Sequence, residues 1–326
     1  MELDLLVSAV GGIDPAEMAR NAEDLGYDRV WVGELWNESA AVQLAEMAAA
    51  TDEIGLGSAI LNVFSRTPAV LAMTAASLQR ASDGRFVLGT GTSTPTAVEG
   101  LHGMDFDRPV RRAHETIELL RRLTSDGGEI SYDGELLESR RFPGLDVDVP
   151  IYHAGLGPAN RRVVGRLCDG WIPHNIPFSA LEDAFEDVAD AAAERDRARD
   201  EIEVAPYVPT AVADDPERAR NAIRRHVAYY VGSGEGYRRA VGAAYPDQAG
   251  SIANAWRAGD RSAAAEAVTD EMVDDLGVAG GPEEVRDGLR SLVAETPIDR
   301  PMIVVPAPAA AELGPRTVDA AAPVRF

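Results

Sequence analysis

Lysine is absent from this 326-residue chain, so all 31 basic side chains are arginines. Against them stand 54 aspartates and glutamates, a formal net charge of -23. A surface this acidic repels nucleic acid and anionic lipid, which excludes both as expected partners. Two readings of the excess stand side by side: an acidic protein from a GC-rich genome, or a halophilic protein from a salt-loving cytoplasm. In multimolar salt, charges are screened to within about 3 Å. The second reading carries a prediction. Withdrawing salt should lower the melting temperature, because unscreened carboxylates repel one another; a melting temperature indifferent to salt would leave only the first.

Cysteine occurs once, at Cys168, which excludes an intrachain disulfide and a thiolate metal cluster. Its surroundings, Gly165-Arg166-Leu167-Cys168-Asp169-Gly170, read as a helix end turning into a strand, with the thiol as a small buried apolar group. No apolar run approaches the ~20 residues that span a bilayer. Met1-Glu2-Leu3-Asp4 opens no secretory leader, so a cytoplasmic location is expected. A nucleophile elbow, a Ser-His-Asp pattern and an HExxH pair are all missing. The five histidines, His102, His114, His153, His174 and His226, lack metal-ligand spacing, so no metal is expected.

What is present is alternation. Strand-like runs at Leu3 to Ala9, Arg29 to Val32, Ile54 to Leu61 and Arg85 to Gly89 are separated by helical patterns at Pro15 to Leu25, Ser39 to Ala50 and Pro68 to Ser82. This predicts a parallel sheet. Asp14, Pro15 and Gly26 supply cap, first-turn proline and terminator for the first helix. Beyond a helix at Arg108 to Leu123, Asp133-Gly134 predicts a hairpin insertion over about 127–140. Further strands are expected at Pro150 to His153, Gly170 to His174, Glu203 to Thr210 and Pro301 to Val305. Helices are expected from Pro158, at Ala180 to Arg199, at Pro216 to Tyr230 and at Pro282 to Ala294. Residues from about 234 to 276 read as a helical insertion. Eight strands and eight principal helices predict one (β/α)8 TIM-barrel domain over 1–326, with the open doubly wound sheet as the rival. The Ala- and Pro-rich tail from Pro306 is expected to be loosely held.

In such a barrel, chemistry gathers at the carboxyl ends of the strands. After the second strand come Glu34 and Trp36, a carboxylate and an indole suited to a ring-shaped cofactor, or a loop that caps the next helix. After the third come Ser58, Ala59, Ile60 and Asn62, small then polar residues that let backbone approach a flat ligand. The fourth is followed by Gly91, Thr92 and Thr94; Gly89-Thr90-Gly91 lacks the third glycine and downstream acid of a dinucleotide fingerprint. The fifth leads through His153 into Ala154, Gly155, Leu156 and Gly157, with Arg161 inside the helix that Pro158 opens. Free N–H groups at that helix start would attract an anion. His153 and His174 end strands, facing the cavity or serving as structural histidines.

Taken in order, LGSAILNVFSRTPAVLAMTAASLQRASDGRFVLGTGT, EGLHGMDFDRP and GLGPANRRVVGRLCDGWIPHN resemble the luciferase-like monooxygenase superfamily along nearly the whole chain. VAYYVGSGEGYRRAVG and TDEMVDDLGVAGGPEEVRDGL are most similar to its coenzyme F420-dependent branch, especially the methylenetetrahydromethanopterin reductases. The resemblance implies a non-prolyl cis peptide at Ala59-Ile60, a deazaflavin-contacting acid at Glu34 and a cofactor phosphate loop at Ala154 to Gly157. Two carboxylates of those reductases are missing: Leu6-Val7-Ser8-Ala9 and Thr92-Ser93-Thr94 stand in their places. Leu35 replaces a histidine of the sugar-phosphate dehydrogenase branch.

The resemblance further implies hydride transfer between deazaflavin C5 and a small organic substrate, a C1-pterin or folate carrier or an alcohol or aldehyde. Glu34, His153 and His174 are the candidate proton-handling residues. It also implies a homodimer or homotetramer. The alternatives are an FMN-dependent monooxygenase of the same fold and a cofactor-free, non-catalytic barrel.

Overall fold

A computed structural model of the chain describes residues 1–7, 14–35, 38–125 and 128–325. In chain order its strands are β1 (Asp4–Val7), β2 (Arg29–Val32), β3 (Gly55–Ser58), β4 (Leu61–Asn62), β5 (Phe86–Gly91), β6 (Glu129–Asp133), β7 (Glu138–Pro143), β8 (Ile151–Ala154), β9 (Gly170–Trp171), β10 (Glu203–Val204), β11 (Tyr207–Val212), β12 (Val278–Gly280) and β13 (Met302–Val304). β6 and β7 form a separate antiparallel hairpin. The rest form one sheet, running β10-β9-β8-β5-β3-β2-β1-β13-β11-β12, with β4 on β5.

That sheet closes on itself. β10 and β11 are one strand interrupted at Ala205-Pro206, where proline has no N–H to offer the ladder. Before the break Ala205 N–H donates to Trp171 O at 2.9 Å, and after it Tyr207 N–H donates to Pro173 O at 3.0 Å. On the other edge Met302 N–H donates to Pro206 O at 2.9 Å, and β13 pairs in parallel with both β11 and β1. The ring is therefore an eight-stranded (β/α)8 barrel.

Strand parity sorts the side chains. Leu6, Trp31, Val87, Tyr152, Ile172 and Tyr207 pack together inside the ring. Their alternates Val30, Val32, Leu56, Leu88, Ile151 and Trp171 face the helices in the main core. Helices begin where capping chemistry directs: Asp14, Thr67 and Asp215 each accept a first-turn N–H, and each is followed by proline.

Four expectations are corrected. The tail from Pro306 is not loose: it forms a helix, Ala310–Ala320. Ala310, Leu313, Thr317 and Ala320 recur at helical spacing and are buried, so its small residues hide an apolar stripe. Thr317 Oγ1 accepts Val212 N–H at 3.0 Å, and Tyr27 Oη donates to Val318 O at 2.7 Å. The long charged helix ends at Ala193 rather than Arg199. There Arg197 turns back to donate to the carbonyls of Gly165 and Cys168. The hairpin turns over Gly134 to Leu137, not at Asp133-Gly134. The buried Glu115 carboxylate accepts the N–H groups of Glu135, Leu136 and Leu137 at 2.8 Å each, which sets the longer loop. Finally, β12 adds an unforeseen strand outside the ring.

The segment from 235 to 276 contains the helices Glu235–Gly242, Pro246–Arg257, Arg261–Glu266 and Asp270–Leu276. The first of them lies over the mouth loop that follows β8: a Cβ added at Gly236 would stand 3.6 Å from Leu156 Cδ1.

Candidate active site at the barrel mouth

Glu34 follows β2 and is held from two sides. Arg66, beyond β4, grips both carboxylate oxygens, with Nη2 to Oε2 at 2.7 Å. Ala40 N–H also donates to Oε2 at 3.0 Å, so Glu34 caps the helix Ala40–Ala50, while the Ser39 side chain makes no cap bond. Burial opposes ionisation, but the hydrogen bonds and charge of Arg66 outweigh it and hold the carboxyl below the usual range. Glu34 is thus a fixed, neutralised anion at the rim, with both oxygens engaged. Trp36 lies outside the described residues.

The segment after β3 carries the cis peptide Ala59-Ile60 that the resemblance implied. Ser58 directs its hydroxyl away from any ligand: Oγ donates to Gly89 O and accepts from Gly89 N–H, both at 2.9 Å. Asn62 Oδ1 accepts the N–H groups of Phe64 and Ser65, and its Nδ2 faces His102 Nε2 at 3.4 Å. Gly91 leaves room for the Ile60 side chain, which an added Cβ would meet at 2.9 Å. Thr92 and Thr94 are half-buried on the next loop, where Thr94 Oγ1 accepts Ala97 N–H at 3.3 Å.

His153 does not face the mouth. It shares the parity of Ile151 and points into the wall behind β8, where Nδ1 meets Thr90 Oγ1 at 3.0 Å. Burial lowers its pKa to about 4, partly offset by the nearby Asn160 side chain. No bond of normal geometry reaches its sealed Nε2. Position in the chain could not reveal this, because one residue of strand parity decides which side of the barrel a side chain serves.

The loop Ala154 to Gly157 is braced from below. Trp171 Nε1 donates to Gly155 O at 2.8 Å, and Arg161 Nε donates to Leu156 O at 3.0 Å. Arg161 is meanwhile paired with Asp187 at 2.8 Å, so it supports the loop from behind rather than presenting its charge to the mouth. Gly157 is the cap residue of the helix Pro158–Leu167 and has no side chain to satisfy the first turn. The uncapped N–H groups there suit a phosphate.

His174 follows β9 and is buried among rings. Tyr207, Tyr230 and Tyr237 lie 4.5, 4.3 and 5.2 Å from it, centroid to centroid. Tyr207 Oη donates to Ala59 O, which ties this aromatic group to the wall after β3. Beside it, Asn175 adopts φ 54°, and both its side-chain oxygen and nitrogen are sealed without a partner.

The mouth therefore brings together two groups across the Ala59-Ile60 wall: Glu34, Arg66, Asn62 and His102 on one side, and His174, Asn175 and Tyr207 on the other. Sequence reasoning missed His102, Asn175, Tyr207 and the pairing of His174 with His226. The blocks containing His102 and Asn175 had been singled out, but neither residue had been given a role. Cavities of about 1090 and 520 Å³ open elsewhere, the larger beside Arg29, Tyr152 and Glu203 at the opposite end of the ring. The mouth is the candidate site, because the strand ends converge there and Asn175 has no partner.

A profile of the luciferase-like monooxygenase family matches residues 14–300. A Mycobacterium tuberculosis protein, provisionally described as a coenzyme F420-dependent oxidoreductase, is 29% identical over 88% of this chain and 90% of its own. A 5,10-methylenetetrahydromethanopterin reductase of Archaeoglobus fulgidus is 30% identical over 85% of this chain and 87% of its own. The solved structure of a coenzyme F420-dependent tetrahydromethanopterin reductase from Methanopyrus kandleri superposes with a TM-score of 0.77, at 22% identity, covering 97% of this chain and all of that one. The chain belongs to the luciferase-like monooxygenase family and is a flavin- or deazaflavin-type oxidoreductase. No helix among the described residues is long and apolar enough to cross a membrane.

Proposed function

We propose that this protein uses coenzyme F420 to transfer a hydride between deazaflavin C5 and a small organic substrate. The observation that carries the choice of deazaflavin over FMN is the pair of relatives at 29% and 30% identity over most of the chain, both with F420-branch descriptions. The site fits such a group: the uncapped helix start at Gly157 would take its phosphate, and Ile60, seated against Gly91, would back its ring. Asn175, sealed and unpaired, would hydrogen-bond a polar edge of the bound molecule. Bound there, the deazaflavin supplies the two-electron chemistry, while the protein orients the partners and excludes water. Glu34, locked by Arg66, positions the rim and does not carry protons. The substrate belongs to the C1-pterin and folate carriers or to the alcohols and aldehydes.

The test is titration of the purified protein, in high salt, with coenzyme F420 and separately with FMN, followed by absorbance and fluorescence. Saturable binding of F420 alone is expected. Asn175→Ala should weaken it roughly tenfold, the loss of one or two hydrogen bonds at about 1 kcal/mol each. Binding of FMN alone would overturn the reading in favour of an oxygen-using monooxygenase, and binding of neither in favour of a cofactor-free barrel. A homodimer or homotetramer is part of the same proposal. Val42, Val70 and Met73, exposed on the helices Ala40–Ala50 and Pro68–Ala81, offer an apolar face for it, and a monomeric mass in sedimentation would dismiss it.

A further inference from the structure

Two buried histidines meet behind the mouth. His174 and His226, the latter on the helix Pro216–Ser233, approach Nε2 to Nε2 at 3.4 Å. They are 7% and 4% exposed. Their neighbours are phenols: Tyr207, Tyr230 and Tyr237 around His174, and Tyr230 at 4.8 Å from His226. Among the described residues, no carboxylate or guanidinium acts on either ring. Burial keeps both neutral: it pushes His226 down to about 4 and, with His226 beside it, holds His174 well below the usual imidazole range.

Two neutral imidazoles facing Nε2 to Nε2 cannot be the same tautomer. Two lone pairs or two N–H groups would repel, so one ring carries its proton on Nε2 and the other on Nδ1. The pair therefore ends in one bare Nδ1 and one protonated Nδ1. Each ring spends its Nε2 on the other, which leaves the two Nδ1 atoms as the ends of the pair.

The mouth needs such a device. Oxidising an alcohol by hydride removal also releases the hydroxyl proton, and Glu34 is already tied to Arg66 and Ala40. We propose that His174 and His226 form the proton relay of this site, His174 exchanging a proton with the substrate oxygen and His226 fixing its tautomer and passing the proton on. This rests on the oxidoreductase reading above and deepens it toward a hydroxyl or carbonyl substrate. In the oxidative direction an oxidised deazaflavin, when bound, would take the substrate's C–H electron pair as a hydride, which leaves the hydroxyl proton for the protein to remove. The O–H proton passes to His174 Nδ1 as the C=O bond forms. The His174 Nε2 proton crosses to His226 Nε2, and the His226 Nδ1 proton leaves to solvent. The tautomers left behind are those that donate a proton to a carbonyl, so the reverse reaction starts from the opposite state of the same pair.

The deciding experiment is long-range 1H–15N NMR on histidine-labelled protein without cofactor. Opposite tautomers at His174 and His226 are expected; the same Nδ1–H tautomer on both rings would overturn the proposal. A second arm uses His226→Gln, which keeps a hydrogen-bonding group but cannot relay. F420 affinity and KM should hold, kcat for alcohol oxidation should fall about tenfold, and added imidazole should restore part of it. An unchanged kcat would likewise overturn the relay. Failure of the wild-type protein to bind F420 would sink the cofactor reading alone, because the tautomer measurement does not depend on it.

Discussion

Replacing Arg300 with methionine is expected to destabilise the protein by about 3–5 kcal/mol at pH 8, and by much less at pH 5. Arg300 stands at the floor of the barrel, where Nη2 reaches Asp4 Oδ1 at 3.0 Å and Nε reaches Glu203 at 3.1 Å. Asp4 is fully buried and also accepts Trp31 Nε1–H at 2.7 Å. Both pKa values rise, which disfavours the charged form of Asp4 and favours that of Arg300. Burial is the largest influence on Asp4 and raises it to about 6, despite the charges of Arg300 and Arg29 and the indole hydrogen bond. At Arg300 burial is outweighed by Asp4 and Glu203, so its pKa rises. Asp4 governs the pH dependence, because it is sealed whereas Arg300 also reaches the exposed Glu2.

A carboxyl whose folded pKa lies above its unfolded value binds more protons when folded. Its contribution is complete below about pH 4 and is lost as pH rises through about 6, for about 3 kcal/mol in all. Without Arg300 the ionised Asp4 has no strong partner, and only protonation relieves it. The difference between variant and wild type should therefore shrink on acidification, measured by denaturant melts at both pH values. Comparing the variant with wild type at each pH cancels other carboxylates such as Glu23 and Glu115, which are held below the usual range and lose stability in acid. The double variant Asp4→Asn, Arg300→Met should recover most of the loss; a loss equal at both pH values, or no recovery, would contradict this account.

Gly89→Ala is expected to cost about 3 kcal/mol or more, at the top of the range for overpacking. A Cβ at that position would lie 1.8 Å from Ser58 O and 3.1 Å from Ile172 Cδ1. The first obstacle is backbone, and both hydrogen bonds of the Ser58 hydroxyl hold it against Gly89. β3 and β5 would have to separate exactly where the rim begins, so thermal stability and cofactor binding should fall together. Gly250 is the control: it sits inside the helix Pro246–Arg257 with open space around it. Gly250→Ala should stabilise by about 0.5–1 kcal/mol. Equal effects at the two positions would show that close approach is not what position 89 requires.

Much of the barrel was legible because each strand and helix carries its own local signal: an apolar run, an N-terminal proline or a cap such as Asp14 or Thr67. The strand β12 carries no such signal, since pairing with a distant strand decides it, whereas Pro206 did carry one that the expectation of an unbroken strand from Glu203 to Thr210 passed over. The tail was misread because composition hides the spacing of Ala310, Leu313, Thr317 and Ala320. The rim was legible as a set of loops but not as a set of contacts. Ser58, Asn62 and Arg161 stand where expected, yet each turns its polar atoms to the protein's own backbone, to His102 or to Asp187. Distance along the chain gives no hint that His226 meets His174, or that Arg66 closes on Glu34.

The pairing of β1 with β13 has a consequence for how the molecule is made. Asp4 lies beside Met302 in the finished ring, so one edge of the first strand has no partner until nearly all the rest has been synthesised, about 15–60 s later at ordinary translation rates. An open edge through that interval invites pairing with another chain. Asp4 places a charge on the inward face of that edge, where a foreign apolar strand would have to bury it. The cation that accepts it, Arg300, emerges from the ribosome two residues ahead of the strand that closes the ring.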